Sequence, residues 1–347
     1  MGWLSGWAYR RAVTITNNTS TDLTDYQVRI ELDSSNFDFS KANADGSDIR
    51  FAADDGETLL AYWIEKWDSS NEQAVIWVKV PSIPAGGSTT IYLYYGNPQA
   101  QSESDPEQVF EFFDDFEGDS LDTNKWVKTI ESSASVTLSD SILDISTPTG
   151  NQNRVCLATQ RSFAQPVVIE AKVMLKKPYV VYLLLSSSQT SKQAPYVCLQ
   201  LSYRSNYPTC IGSNDGNSEV TSNLATITGN EWHLVGIKTD GNTHTGYWDD
   251  NTASVAQANS FSGYAMIYHV SAYDDSMETL VDWFRIRKYA EQEPSVSVGG
   301  EETPPIPVKI WDGSAWVDVK AVKVWDGSAW VDAKAIYVWD GSSWVKL

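Results

Sequence analysis

Apolar and polar residues alternate with a period of two along most of this chain, in short runs separated by turn formers. Near the N-terminus the runs are Ala12 to Thr16, Tyr26 to Leu32, Ile49 to Ala52, Leu59 to Trp67, Ala74 to Val80 and Thr89 to Tyr95. Asn17-Asn18, Asp45-Gly46, Asp54-Asp55-Gly56 and Pro84-Ala85-Gly86-Gly87 separate them with residues that favour turns. Successive side chains of an extended strand point to opposite faces, so each run buries one face and wets the other. No segment sustains helical spacing, and short strands broken by frequent turns predict a β-sandwich over residues 1–98. A second series, Val167 to Leu175, Val180 to Ser186, Tyr196 to Tyr203, His233 to Thr239, His244 to Trp248 and Tyr264 to Ser271, predicts another sandwich over 111–290. The polar stretch 99–110 reads as a linker with room for one helical turn. Residues 291–307 read as a second linker, stiffened toward polyproline geometry by Pro304, Pro305 and Pro307, that holds the remaining tail away from the body.

The tail, 308–347, repeats every 14 residues: VKIWDGSAWVDVKA, VKVWDGSAWVDAKA, IYVWDGSSWVKL. In each unit two alternating runs flank Asp-Gly, the signature of a β-hairpin. In the first unit Ile310 and Val317 would line one face and Trp311 and Trp316 the other, so both faces carry residues that favour burial. An isolated hairpin is marginal in water, and about forty residues cannot cover both faces themselves. Trp311, Trp316, Trp325, Trp330, Trp339 and Trp344 are therefore expected to serve assembly. The cover would come from identical tails in an oligomer, a trimer by preference, from a virion assembly protein, or from a ligand on the Trp ladder.

At 347 residues and 42% hydrophobic content the chain has room for two or three packed domains. A formal charge of -20, from 45 acidic against 25 basic residues, argues against nucleic-acid binding. Fifteen Trp and seventeen Tyr suit pleated sheets and surfaces that stack on flat ligands. Cys156, Cys198 and Cys210 are too few for a disulfide framework, although Cys198 and Cys210 could pair across a strand and its loop. The opening MGWLSGWAYRRAVTITN holds no long apolar run, so neither a signal peptide nor membrane insertion is expected.

Two resemblances sharpen this. The succession Trp7-Ala8-Tyr9-Arg10-Arg11, Tyr26-Gln27-Val28, Asp45-Gly46-Ser47-Asp48-Ile49-Arg50-Phe51, Tyr62-Trp63-Ile64-Glu65, Trp77-Val78-Lys79-Val80-Pro81 and Tyr94-Tyr95-Gly96-Asn97 resembles the domain of unknown function numbered 2341. That resemblance implies a β-sandwich of surface and viral proteins, and no catalytic residues. Phe113-Asp114-Asp115-Phe116-Glu117-Gly118 and Val281-Asp282-Trp283-Phe284-Arg285-Ile286-Arg287, with Glu231-Trp232-His233-Leu234-Val235 between them, resemble the concanavalin A-like lectin/glucanase superfamily, in its LamG-like form. This implies a jelly roll whose terminal strands lie side by side. The fold class is all-β: two sandwiches, the second a jelly roll, and a hairpin-repeat tail.

Many members of that superfamily cleave polysaccharides with paired carboxylates, which in the family-16 hydrolases come from a Glu-x-Asp-x-x-Glu strand motif. No such motif stands here; the nearest strand segment, Ile169-Glu170-Ala171-Lys172, has one carboxylate. His233, His244 and His269 are scattered away from zinc-ligand spacing and read as satisfied strand histidines. The superfamily's structural calcium implies a Ca2+ site at Asp115, Glu117, the Gly118 carbonyl and Asp282. A second loop, Asn43, Asp45, Ser47 and Asp48, has calcium-ligand composition without the distal Glu. Along Tyr196 to Tyr203 alternation turns Tyr196, Cys198, Gln200 and Ser202 outward, and Tyr182, Gln200, Tyr203, Arg204, Tyr207 and Trp248 are the candidate glycan-binding residues. These readings converge on a non-enzymatic virion-surface or tail-fibre protein that binds host-surface glycans or glycoproteins. A bacterial or archaeal surface adhesin and a polysaccharide-active glycoside hydrolase are the alternatives.

Overall fold

The computed structural model describes residues 2–131, 133–149, 153–177, 180–202, 208–270, 276–304, 309–311, 314–319, 322–333, 336–339 and 342–346. In the first sandwich, Tyr9–Thr16 lies between Ser88–Tyr95 and Ser295–Glu302 in a five-stranded antiparallel sheet completed by Arg50–Ala52 and Leu59–Leu60. A three-stranded sheet of Leu23–Asp33, Gln73–Ile83 and Tyr62–Asp68 packs against it. The alternating apolar positions Val13, Ile15, Val28, Ile30, Phe51, Ile76, Val78 and Leu93 fill the space between. The run Leu59 to Trp67, read as one strand, is two. Its first residues belong to the larger sheet and Tyr62–Asp68 to the smaller, so the chain changes sheets at Ala61.

Within the segment 291–307, residues 295–302 are a strand and not linker. Ser295–Glu302 pairs along Tyr9–Thr16, and Val296 and Val298 pack on the first core. Its end is pinned by charge: Glu301 accepts from Lys41 Nζ and from the Tyr95 hydroxyl, both at 2.7 Å, and Glu302 accepts from Arg10 Nε at 2.7 Å. The Ser-Val-Ser-Val alternation was visible in the sequence, but Gly299-Gly300 and the prolines obscured it. The consequence is topological. The second sandwich is inserted between two adjacent parts of the first, so two chain crossings tether it.

That second sandwich is built from two eight-stranded sheets. One, here the junction sheet, runs Ser135–Ser139, Ile142–Thr147, Met277–Lys288, Val167–Lys177, Trp232–Thr239, Thr243–Trp248 and Asn251–Ala256. Phe112–Asp114 pairs beside Met277–Lys288, with Asp114 opposite Phe284, so the terminal strands are neighbours. The other, the far sheet, runs Glu219–Asn223, Cys210–Asn214, Tyr196–Leu201, Val181–Ser186, Ser262–Val270, Arg154–Thr159 and Trp126–Glu131, with Phe163–Ala164 also on Ser262–Val270. Leu143, Ile145, Leu157, Ile169, Ala171, Leu183, Val197, Leu199, Val235 and Ile267 meet between the sheets.

The stretch 99–110 is the interior of a joint rather than a free linker. Pro106–Val109 forms a single helical turn whose Asp105 side chain accepts from Glu107 N at 2.9 Å. Val109 and Phe110 bury among Trp77 of the first sandwich and Phe113 and Trp283 of the second, with Trp63 packed alongside. In the tail three separate hairpins form, each pairing its two Trp backbones: Trp311 with Trp316, Trp325 with Trp330, Trp339 with Trp344. In the middle one the rings of Trp325 and Trp330 stand 5.9 Å apart, Lys323 and Asp332 pair at 2.9 Å, and Gly327 takes the positive φ that the turn requires.

Candidate functional site

Outward positions on the central strands of the far sheet carry a compact aromatic patch. Leu184, Tyr196, Cys198, Met266 and Tyr268 cluster there, with Tyr182 and Tyr264 at the margin. Inward alternation sends Val197, Leu199 and Leu201 to the main core, as the sequence pattern requires. The loop after Val181–Ser186 returns over the patch and sets Lys192 Nζ 4.7 Å above the Tyr182 ring and 4.6 Å above Tyr196, a cation over two aromatic faces. Glu219, from the edge strand, accepts from the Tyr196 hydroxyl at 2.6 Å and from Lys192 at 3.4 Å. Burial alone would depress Lys192, but Cys198, Tyr182, Tyr196 and Glu219 around it raise its pKa above the ordinary lysine value. Gln200 donates to the Pro208 carbonyl at 2.9 Å. Tyr196 and Tyr268 are buried beneath this surface, and what it leaves open is the partly exposed Tyr182, Lys192 and Gln200 with the exposed Glu219: a ring, an ammonium, an amide and a carboxylate, the set that sugar hydroxyls and C–H faces engage.

Of the candidate glycan-binding residues, Tyr182 and Gln200 lie together on this outer face. Trp248 does not join them: it sits in the junction sheet, packs on the main core, and donates from Nε1 to the Ala225 carbonyl at 3.0 Å. Alternation explains this, because its neighbour Tyr247 takes the outward position. Tyr203, Arg204 and Tyr207 lie outside the described residues. Lys192 and Glu219 were missed, since a loop lysine and an edge-strand glutamate carry no periodic signal.

The outward positions of the three central strands, Tyr182, Leu184, Ser186, Tyr196, Cys198, Gln200, Tyr264, Met266 and Tyr268, include no carboxylate. Glu219 and Glu131 stand on opposite edge strands of the seven-strand path, six inter-strand steps or roughly 29 Å apart at ~4.8 Å per step. A retaining pair needs its carboxyl groups about 5 to 5.5 Å apart. Glu170, the lone strand carboxylate noted in the sequence, is in the other sheet and faces the joint. It accepts from Arg285 Nε at 2.6 Å, from Arg287 Nε at 3.0 Å and Nη2 at 3.2 Å, and from the Tyr247 hydroxyl. Burial would raise its pKa, but the two guanidinium groups overcome it and hold the carboxyl well below the usual range. Arg285 continues across the joint to Glu65 at 2.9 Å, which also accepts from Trp77 Nε1 at 2.6 Å. Its guanidinium lies 4.4 Å from both the Trp77 and Trp283 rings.

The expected calcium set is not assembled. Asp282 pairs with Lys172 at 2.6 Å, and among the described residues no group of three or more His, Cys, Asp or Glu side chains converges on a metal position. The buried carboxylate of that region is Asp114, which accepts from Trp126 Nε1 at 2.5 Å and Phe116 N at 3.0 Å, and whose pKa burial raises. In the second loop Asp48 is fully buried and accepts from the backbone N–H groups of Asn43, Gly96 and Asn97, so it latches turns together. His233 and His244 are hydrogen-bonded at both ring nitrogens. His269 departs from expectation: it is fully buried, neither nitrogen has a partner among the described residues, and burial pushes its pKa down to about 3. The three cysteines are free; Cys198 lies opposite Gly212 and Cys210 opposite Gln200, diagonal neighbours across two strands. Among the described residues no helix is long and apolar enough to cross a membrane.

Residues 45–129 match the family described as Domain of unknown function (DUF2341). The chain is similar to an uncharacterized protein of Methanocaldococcus jannaschii, MJ1472, at 30% identity over 131 residues, covering 35% of this chain and 24% of that protein. It thus spans about a quarter of the length of this curated relative. Similar solved structures include LamAcat of Zobellia galactanivorans (12% identity, 52% of this chain and 97% of that one, TM-score 0.42) and an endo-β-1,3-glucanase of Pyrococcus furiosus (14%, 52% and 95%, 0.43). A β-glucanase of Bacillus licheniformis is a third (13%, 51% and 98%, 0.41). The likeness is one of fold: an all-β chain with a concanavalin A-like jelly roll. The sequence reading of a virion appendage without enzymatic activity is corrected here: the structures named, which this chain resembles in fold, are glucanases.

Proposed function

We propose that this chain is a polysaccharide-active protein that lays a glycan along the outer face of the far sheet. The observation that supports this most directly is the Lys192 clamp over Tyr182 and Tyr196, backed by Glu219 and flanked by Gln200. In the same reading the tail joins copies of the chain. Trp325, Trp330 and Trp344 are 55%, 65% and 67% exposed, and Val324 on the opposite face is 52% exposed. A second tail is the surface that brings a matching set.

Retardation of the full chain in gels containing soluble β-1,3-glucan, mixed-linkage glucan, xylan or galactomannan tests the first part. Binding to at least one polymer, lost in Tyr182→Ala combined with Lys192→Met, is expected. Reducing ends measured on the same polymers read turnover, and release abolished by Glu219→Gln would place it on this face. A chain that neither binds nor cleaves any polymer of the panel removes the proposal.

A further inference from the structure

Beside the Glu170 network, where the two sandwiches meet, a cavity of about 340 Å3 opens between them. Arg29, Glu65 and Trp77 line it from the first sandwich, Arg285 and Leu234 from the second, and Pro294 from the returning segment. Its size lies at the small end of ligand cavities, roughly 300 to 1,000 Å3, and suits one sugar ring.

The hydrogen-bonding groups around it are only partly used. Arg285, 1% exposed, spends Nε on Glu170 and Nη1 on Glu65, and among the described residues its Nη2 has no partner. Among the described residues Arg29 bonds Glu31, through Nη1, which leaves its other donors open. Among the described residues Glu65 takes both its bonds on Oε2, which leaves Oε1 as an open acceptor. These open groups face the cavity and its solvent, so a molecule whose hydroxyls take the place of water there can meet them with direct hydrogen bonds. The charges are balanced, with Arg29, Arg285 and Arg287 against Glu65, Glu170 and Glu293. An anion would add uncompensated charge to a balanced site, whereas an uncharged ligand with hydroxyls can accept from the two arginines and donate to Glu65 at once. Leu234 and Pro294 supply apolar wall for its C–H face.

We infer that this interdomain cavity is a binding site for a neutral pyranose, separate from the far-sheet surface and reached at the joint between the sandwiches. It does not rest on the polysaccharide reading, and either can fail alone.

Saturation-transfer NMR on the full chain, with the methyl glycosides of glucose, galactose and mannose and with glucuronate as probes, tests it. At least one neutral glycoside is expected to receive saturation. The signal should fall at least fivefold in Arg29→Met, whose substituted residue is partly exposed and leaves the fold intact, and persist in Tyr182→Ala. Glu65→Gln, which keeps the size of the side chain, should weaken it too. Saturation of glucuronate alone, a signal untouched by Arg29→Met and Glu65→Gln, a signal lost in Tyr182→Ala, or no signal from any probe would each overturn the inference.

Discussion

Replacing Arg285 with Met is the sharpest probe of how the two sandwiches are held. Met keeps an unbranched apolar stem but removes the guanidinium, and with it the contact on the Trp77 and Trp283 rings and the charge that stands 2.6 Å from Glu170 and 2.9 Å from Glu65. Glu170 is 3% exposed and, among the described residues, would be left with Arg287 as its one cation. Breaking a buried pair by deleting one partner costs about 3 to 5 kcal/mol, mostly the penalty of the orphaned charge. The exposed pair Arg29–Glu31 serves as control, where deletion should cost about 0 to 1 kcal/mol. Urea unfolding at pH 7, followed by Trp fluorescence, measures both. Because Arg285 binds groups from both sandwiches, its loss should also separate one cooperative transition into two. The double variant Glu170→Met/Arg285→Met removes the orphan, so its cost should fall short of the sum of the single costs by about 0.5 to 3 kcal/mol. An Arg285→Met cost below about 1 kcal/mol, or strict additivity, would falsify the buried-pair account.

Other consequences are independent of this one. His269 has a folded pKa of about 3 against 6.5 for the free group, so the unfolded chain binds the extra proton between these values. Stability is then full above pH 6.5 and falls on acidification by up to about 1.4 kcal/mol per pH unit; His269→Leu should remove that one-proton slope from urea titrations across pH 6.5 to 3. Glu170 has a depressed pKa, so its contribution is present above the ordinary carboxylate range and is lost as pH falls below it; Glu170→Gln should flatten the acid limb. Cys156 and Cys198 thiols are pushed up to about 12 and about 11 by burial. A thiol reagent at pH 7 should therefore modify half-buried Cys210 first, and equal rates for all three would contradict the packing. Removing residues 308–347 should lower the mass seen in light scattering if tails join copies; the same monomeric mass with and without the tail would count against it.

Much of the fold was legible because both sandwiches obey the period-two rule that buries one face of a strand. The inward set of Tyr196–Leu201 and the paired terminal strands follow from alternation and from the resemblance that named them. What escaped notice depends on contacts between distant segments. The switch of sheets at Ala61 leaves no mark in an unbroken apolar run. Lys192 acts through a loop that folds back on its own strand. The junction did leave a trace: Glu170 interrupts Val167-Val168-Ile169, and Arg285 and Arg287 interrupt Trp283-Phe284 and Ile286. Charged residues within otherwise buried strands must find partners, and opposite charges on neighbouring strands were available as a signal.

The return of Ser295–Glu302 to the first sandwich ties these observations together and makes a last prediction. That strand covers one edge of the five-stranded sheet, supplies Val296 and Val298 to the core, and brings Glu301 and Glu302 to Lys41, Tyr95 and Arg10. A chain ending at residue 294 would expose the edge of Tyr9–Thr16 and strand Arg10, 7% exposed, without its carboxylate. Loss of two partly buried valines alone costs on the order of 2 to 3 kcal/mol at about 25 cal/mol per Å2, and an open strand edge invites pairing with other chains. The truncated chain should therefore lose its first sandwich to limited proteolysis while the second, whose own sheets are complete, survives as a protected fragment. Equal protection of both sandwiches would mean that the first closes without its last strand, and the insertion topology would then be incidental to its stability.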